Sequence, residues 1–387
     1  MSVPSVPKYI EDLRKQPIEP LLSNLIELPP DSNLSKLVGL LRATSAYEVF
    51  VPEHTRCGII SARDVLKAAN VEGTKPMALM SYIQVLPKEA SIGDTARLMA
   101  DYRIRSVPIT DGRKIVGQVN SITLLNQMKG KIGGDLRIAS IATKNPITID
   151  AEAPIAKARD LMTRRRIDHL PVTRSGRLSG LITSTEIVAR ISPTERLGSK
   201  AMKPEIKHSF EFPVGNVMDP NLLTCPPEAS AEKALTSILS AAKTYILVTQ
   251  WEELQGIATQ RDFMTLLAAP EPESDVPIFM VGLPDDPFEA EATKAKFRRT
   301  VSQLRRIFPD ILEARSVIKS KFTRPGKERG RYEVAVHIRT TRNTYTYSEG
   351  GWDLPVVYDL ITDRLKRLMT QKQTRRRTRE RESSRTP

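Results

Sequence analysis

Cysteine is nearly absent from this chain of 387 residues, with Cys57 and Cys225 the only two. That scarcity excludes a disulfide framework and a cysteine-based zinc ribbon. Histidine is almost as rare: His54, His169, His208 and His337 are scattered at no metal-ligand spacing, so no metal site is expected. No apolar run approaches the roughly 20 residues that span a bilayer. The opening MSVPSVPKYIEDLRKQP has no basic start followed by a greasy segment, so neither a signal peptide nor a membrane partner is expected, and the cytoplasm is the expected compartment. No nucleophile–base pair, metal cluster or phosphate-cradling glycine loop stands out, so neither an enzyme nor a required cofactor is expected.

Charge is plentiful but uneven. The net charge is +14, of which Pro277–Pro387, with 25 Lys+Arg against 14 Asp+Glu, carries +11. A polyanionic partner should therefore meet the last third of the chain.

The first two thirds repeat a phrase. GIISARDVL from Gly58 returns as GQVNSITLL from Gly117, GLITSTEIV from Gly180 and GIATQRDFM from Gly256. The glycine spacings of 59, 63 and 76 fit a unit of about 60 residues, the last interval being lengthened by the polar stretch 192–213. Similarity reaches upstream, as LMADYRIRSVPITDGRKIVGQV (98–119) and LMTRRRIDHLPVTRSGRLSGLI (161–182) show. Pro108, Pro171 and Leu247 each precede their glycine by nine residues, while the first copy is one residue shorter. Apolar periodicity reads each unit as helix, strand, strand, helix.

Ser61-x-x-Asp64, Thr183-x-x-Glu186 and Thr259-x-x-Asp262 have capping-box spacing, in which a hydroxyl accepts from a backbone N–H and the carboxylate reaches back. The second copy departs, with Asn120 and Thr123 in those places. Arg63, Arg103, Arg105, Arg164, Arg165, Arg166 and Arg261 lie close by in sequence. The four units together, over roughly residues 20 to 268, resemble the CBS (cystathionine β-synthase) domain family, in which two repeats pair about a pseudo-twofold axis. The resemblance implies two modules and an AMP- or ATP-type ligand. It also implies that the capping hydroxyls lie near ligand phosphate and the acidic residues bond the ribose. Ser61, Asp64, Thr183, Glu186, Thr259 and Asp262 are thus the candidate nucleotide-binding residues.

After the proline- and acid-rich AAPEPESDVP the pattern changes. VPIFMVGL reads as a strand, and residues 285–308 as a long helix with Phe297, Val301, Leu304 and Phe308 on one face. ILEARSVIKSKF alternates, placing Leu312, Ala314, Ile318 and Phe322 inward and Arg315, Lys319 and Lys321 outward. YEVAVHIR puts Tyr332, Val334, Val336 and Ile338 on the core side and forms a hairpin with NTYTYSE. A last helix should bury Leu354, Val357, Ile361, Leu365 and Leu368, so that both helices cover one sheet face. This β-α-β-β-β-α order, with YTYSEGGWDLPVVYDLITDRLKRLMTQKQ, resembles the bacterial ribosome hibernation-promoting factors and ribosome-associated inhibitors. That resemblance implies a place in the tRNA and mRNA path of the small ribosomal subunit and an arrest of translation. CBS repeats joined to such a domain look like an archaeal arrangement.

The fold class expected is α+β: two CBS-pair modules, four α/β repeats in all, followed by a β-α-β-β-β-α domain. The expected boundaries are an N-terminal extension over 1–20, modules over 21–132 and 133–268, a linker over 269–276, an RNA-binding domain over 277–372 and an Arg-rich tail over 373–387, disordered when free. Each phosphate neutralised by Lys or Arg releases condensed counterions, so a dense basic surface gives salt-sensitive RNA affinity. The candidate RNA contacts are Lys294, Lys296, Arg298, Arg299, Arg305, Arg306, Lys319, Lys321, Arg364, Lys366, Arg367, Arg375, Arg376 and Arg377. The expected partner is the ribosome, through small-subunit rRNA and with room for a contact to the large subunit; a homodimer through the CBS modules is the other association the family implies. The alternative function is a CBS-ligand-controlled regulator of other RNA or of DNA.

Overall fold

Gly117 lies under a crossing chain: a Cβ there would stand 2.5 Å from the carbonyl oxygen of Ser23, in the segment that leads into another repeat. That crossing is the key to the first of two compact units, Met1–Ala269 and Pro270–Pro387, into which the chain divides. The computed structural model describes residues 8–53, 56–68, 74–83, 85–112, 114–191, 210–268, 276–284, 287–321, 331–351 and 354–383. The 192–213 stretch and the AAPEPESDVP linker fall largely outside them.

Each repeat is helix, strand, strand, helix. The first comprises Leu34–Thr44, Glu48–Glu53, Arg56–Ser61 and the short helix Ala62–Val65. The second comprises Ile92–Tyr102, Ser106–Asp111, Lys114–Asn120 and Ser121–Met128. The third comprises Ile155–Arg165, His169–Arg174, Arg177–Thr183 and Ser184–Ile191. The fourth comprises Ala231–Ser240, Tyr245–Gln250, Glu253–Thr259 and Gln260–Leu267. The hairpins share one register, pairing Glu48 with Ser61, Ser106 with Asn120, His169 with Thr183 and Tyr245 with Thr259.

Repeats pair by exchanging their entry segments. Ser81–Ile83, which leads into the second repeat, joins the sheet of the first. Ser23, leading into the first, exchanges backbone bonds of 2.8 and 2.9 Å with Gln118 of the second. Thr143–Lys144 likewise joins the fourth repeat's sheet, and Asp219 bonds Leu181 of the third. The recurring glycine sits under each crossing. A Cβ at Gly256 would lie 3.0 Å from the Thr143 carbonyl, and one at Gly180 would lie 3.1 Å from that of Asp219.

Helices join the two pairs. One apolar core takes Leu37, Val38 and Leu41 from the first repeat and Ile155, Ala158, Met162 and Ile187 from the third. The second and fourth repeats pack through Ile92–Tyr102 and Gln260–Leu267, where the Ser121 hydroxyl donates to Gln260 Oε1 at 2.9 Å. The N-terminal extension takes part: Lys8–Lys15 is a helix burying Ile10 and Leu13. Its Arg14 donates from Nη2 and Nε to the Leu266 and Leu267 carbonyls at 2.9 and 3.2 Å. Cation and open carbonyls at a helix C-terminus suit one another.

The second unit has the order β-α-β-β-β-α. Its strands Ile278–Val281, Ile311–Lys321, Arg331–Thr340 and Thr344–Gly351 lie side by side in sequence order. The first pair is parallel and the others antiparallel. The helices Pro287–Ile307 and Leu354–Ser383 cover one face, burying Phe297, Val301, Leu304, Phe308, Val357, Tyr358 and Ile361 against Ala314, Ile318, Val334 and Val336.

Two expectations are corrected here. Leu312 is 47% exposed, because a register shift between Ile311 and Glu313 turns Ile311 inward instead. Leu368 is half exposed and Met369 takes its buried place, since the 3.6-residue turn drifts by one position over the helix. The last helix runs on through Ser383, into the segment expected to be an Arg-rich tail. With no Pro or Gly between Leu365 and Ser383, Arg, Gln, Lys and Glu extend a helix already nucleated on the core.

Candidate functional site

The capping motifs form as their spacing predicts. Ser61 N–H and hydroxyl both donate to Asp64 Oδ2, at 3.0 and 2.5 Å. Thr183 N–H and hydroxyl reach Glu186 Oε2 at 2.7 and 2.9 Å, and those of Thr259 reach Asp262 Oδ2 at 2.7 and 2.9 Å. The carboxylates differ in what else they meet. Asp64 also accepts from Lys67 through Oδ1, so both of its oxygens are engaged. Burial works to raise the Asp64 carboxyl, but Lys67 and Arg63 outweigh it and hold it well below the usual range. Burial does raise Glu186 and Asp262, against the opposing hydrogen bonds of Thr183 and Thr259. Their caps use one oxygen each, so the third and fourth repeats keep a carboxylate oxygen outside the cap. In the second repeat Asn120 Oδ1 accepts from Thr123 N–H and hydroxyl, and no carboxylate is present.

Four arginines, one from each repeat, converge between the modules. Arg63 and Arg261 occupy the same place in the first and fourth repeats, each one residue before the capping carboxylate. Arg103 and Arg166 occupy the same place in the second and third, each ending a helix at φ of 55° and 52°. Arg63 and Arg103 both donate to the Arg166 carbonyl, at 3.3 and 2.9 Å, and Arg261 Nε donates to the Ala100 carbonyl at 3.0 Å. Burial lowers the Arg261 guanidinium, Asp262 and Asp101 oppose that, and the nearby charges of Arg63 and Arg166 lower it further. Such a gathering of cations is a ready seat for phosphate.

Asp168 ties this cluster to the fold. Its Oδ2 accepts from Arg63 at 2.8 Å, and its Oδ1 accepts from Tyr47 and Ser184 hydroxyls at 2.5 and 2.9 Å. The Arg105 guanidinium lies over the Tyr47 ring, 4.1 Å from its centroid. Beside them Glu48 is buried, with Oε1 accepting from Arg105 N–H at 2.9 Å and Oε2 without a hydrogen-bond partner among the described residues. Burial pushes its carboxyl up to about 7, against the pull of Arg105 and Ser106. His169, in the matching place of the third repeat, meets the Thr244 hydroxyl at 2.7 Å, and burial lowers it to about 3. Tyr47, Glu48 and Asp168 were outside the residues singled out from the sequence. Only their place at the start of a first strand, or one residue before it, marks them there.

In the second unit Arg298, Arg306, Lys319, Arg364 and Arg367 are exposed, and Lys294, Arg299, Arg305 and Lys366 are half-buried. Lys296 leaves the candidate surface: its side chain is 6% exposed and its ammonium pairs with Asp359 across the two helices at 2.5 Å. The side chains of Lys321, Arg375, Arg376 and Arg377 lie outside the described residues. Among the described residues no group of three or more His, Cys, Asp or Glu could hold a metal ion, and no helix is long and apolar enough to cross a membrane.

An uncharacterized protein of Methanocaldococcus jannaschii is 25% identical over 283 residues, covering 71% of this chain and 67% of its own. An inosine-5'-monophosphate dehydrogenase of Korarchaeum cryptofilum is 32% identical over 140 residues, which span 36% of this chain and 28% of the dehydrogenase. The crystal structure of another M. jannaschii protein, described as a candidate archaeal homologue of γ-AMPK, covers 65% of this chain and 100% of its own at a TM-score of 0.59 and 16% identity. Residues 78–130, 138–193 and 214–269 match the CBS domain family, so the second, third and fourth repeats of the first unit are CBS domains.

Proposed function

We propose that this protein is a cytoplasmic ribosome-binding silencer of translation, not an enzyme, whose CBS repeats sense an adenine nucleotide. The observation that carries the ribosomal half is the placement of Arg298, Arg306, Arg364 and Arg367 on solvent faces of the two helices that back the four-stranded sheet. Folded rRNA is recognised by shape and phosphate position, and spread cations on two rigid helices suit that task. The sensing half is supported by the four arginines between the modules and by the capping carboxylates of Glu186 and Asp262. Phosphates would add to the carboxylate of Asp168, which already pairs with Arg63, in offsetting the charge of the first, and a ribose hydroxyl would meet the second.

The test is sedimentation of the full chain with purified small ribosomal subunits. Charge reversal at Arg298, Arg306 and Arg364 together is expected to abolish co-sedimentation while far-UV circular dichroism stays unchanged. Co-sedimentation that survives in the folded variant removes these faces from the contact. Wild-type protein that leaves subunits alone but binds messenger-like RNA or DNA favours the regulator of other nucleic acid.

A further inference from the structure

The sheet of the second unit has a second face, which the two helices leave uncovered. Strand register places three residues, far apart in sequence, in one row across it. Phe279 pairs with Arg315 in the parallel ladder, Arg315 pairs with His337, and His337 pairs with Thr346. Their neighbours along the strands, Met280, Ser316 and Val336, point the other way and are buried or partly buried in the core. Strands lie about 4.8 Å apart, so the row is a continuous strip of side chains. Phe279 is 50% exposed on the edge strand and Arg315 is exposed. His337 is half-buried, and its Nδ1 lies 3.0 Å from the Thr346 hydroxyl, which fixes the ring.

We infer that this row is a stacking platform for the unpaired bases of single-stranded RNA, an inference that rests on the reading of the second unit as an RNA-binding domain. An aromatic ring, a guanidinium plane and an imidazole are the three flat groups on which splayed-out bases stack. The surrounding charge fits a polyanion. The same face carries Arg315, Lys319, Arg331 and Arg339 against Glu313 and Glu333, and Glu313 is itself paired with Arg339 at 2.8 Å. Cations beside flat groups suit a backbone threading past stacked bases. Paired bases hide their faces, so a duplex gains nothing from the row. The helix faces would then hold folded rRNA by its phosphates, while the sheet holds an unpaired strand by its bases.

The experiment measures binding of the full chain to fluorescent oligouridylate, to its abasic counterpart and, in parallel, to small ribosomal subunits. Phe279→Ala and Arg315→Ala are each expected to weaken oligouridylate binding roughly 5- to 100-fold. Phe279→Ala should leave the salt dependence unchanged, because stacking releases no counterions. The abasic strand should bind the wild type weakly and lose nothing further on Phe279→Ala. Phe279 lies outside the core, and circular dichroism checks that the variant folds. Oligouridylate binding that is absent from the wild type, unchanged in these variants, or equalled by the abasic strand overturns the platform. Should that happen while subunit binding persists, the ribosomal reading stands without it. Retained stacking with no subunit binding overturns the ribosomal reading and leaves the platform in place.

Discussion

Arg63 Nη1 and Asp168 Oδ2 stand 2.8 Å apart in a largely buried ion pair that joins the first CBS-like repeat to the third. Each charge has left water, so each depends on the other. Asp168→Ala strands the Arg63 cation and is expected to destabilise the first unit by about 3–5 kcal/mol. Replacing both residues by apolar ones should cost much less. Urea unfolding followed by circular dichroism checks the order. Burial by itself would raise the Asp168 carboxyl, but Arg63, Arg105, the Tyr47 hydrogen bond and His169 together outweigh it and depress the carboxyl. Its contribution is therefore present above the unfolded carboxyl range and is lost as pH falls through the depressed value.

Glu48 behaves in the opposite sense. Burial lifts its carboxyl from 4.5 to about 7, so the folded state holds a proton that the unfolded state has released. Its contribution is full below pH 4.5 and fades as pH rises through about 7. Glu48→Gln is expected to be more stable than wild type at pH 8, by about 3 kcal/mol at most, and to match it near pH 4. Denaturation midpoints at the two pH values give the difference, from which the separate titration of His169 cancels.

The crossing at Gly117 predicts a graded series. A Cβ there meets the Ser23 carbonyl at 2.5 Å, and backbone cannot swing aside as a flexible side chain can. Gly117→Ala is expected to cost about 1–3 kcal/mol. Gly256→Ala should cost less, because its nearest atom, the Thr143 carbonyl oxygen, is 3.0 Å away. Equal effects, measured as shifts in thermal midpoint, contradict the exchange-strand account of the repeated glycine.

Nucleotide binding predicts a rise in thermal midpoint with AMP or ATP, by mass action on the folded state, reaching about 2.7 kcal/mol at a hundredfold excess over Kd. Glu186→Gln and Asp262→Gln should blunt that rise, and Asp64→Asn should not, because both Asp64 oxygens already serve Ser61 and Lys67. A calorimetric scan at millimolar nucleotide with no shift leaves the repeats as scaffold.

Much of this architecture is legible in the chain because its signals are periodic. The glycine phrase marks the four repeats, and the 3.6-residue stripe marks Phe297, Val301, Leu304 and Phe308 as one buried face. What escapes is set by long-range register. Nothing local shows that Ser23 crosses Gly117, that Lys296 pairs with Asp359, or that Phe279, Arg315 and His337 form one row. Asp168 looks like an ordinary strand-entry residue until Arg63, over a hundred positions away, is placed against it. The shift that turns Leu312 outward is likewise invisible to simple alternation.

The most direct measurement is affinity of the full chain for purified small ribosomal subunits across a salt series. Tight binding should weaken linearly on a log–log plot, with a slope of roughly −0.7 to −0.9 per phosphate engaged. Reversal of Arg298, Arg306 and Arg364 together should remove this binding at every salt concentration. Absence of binding at low salt, or binding indifferent to salt, contradicts the account.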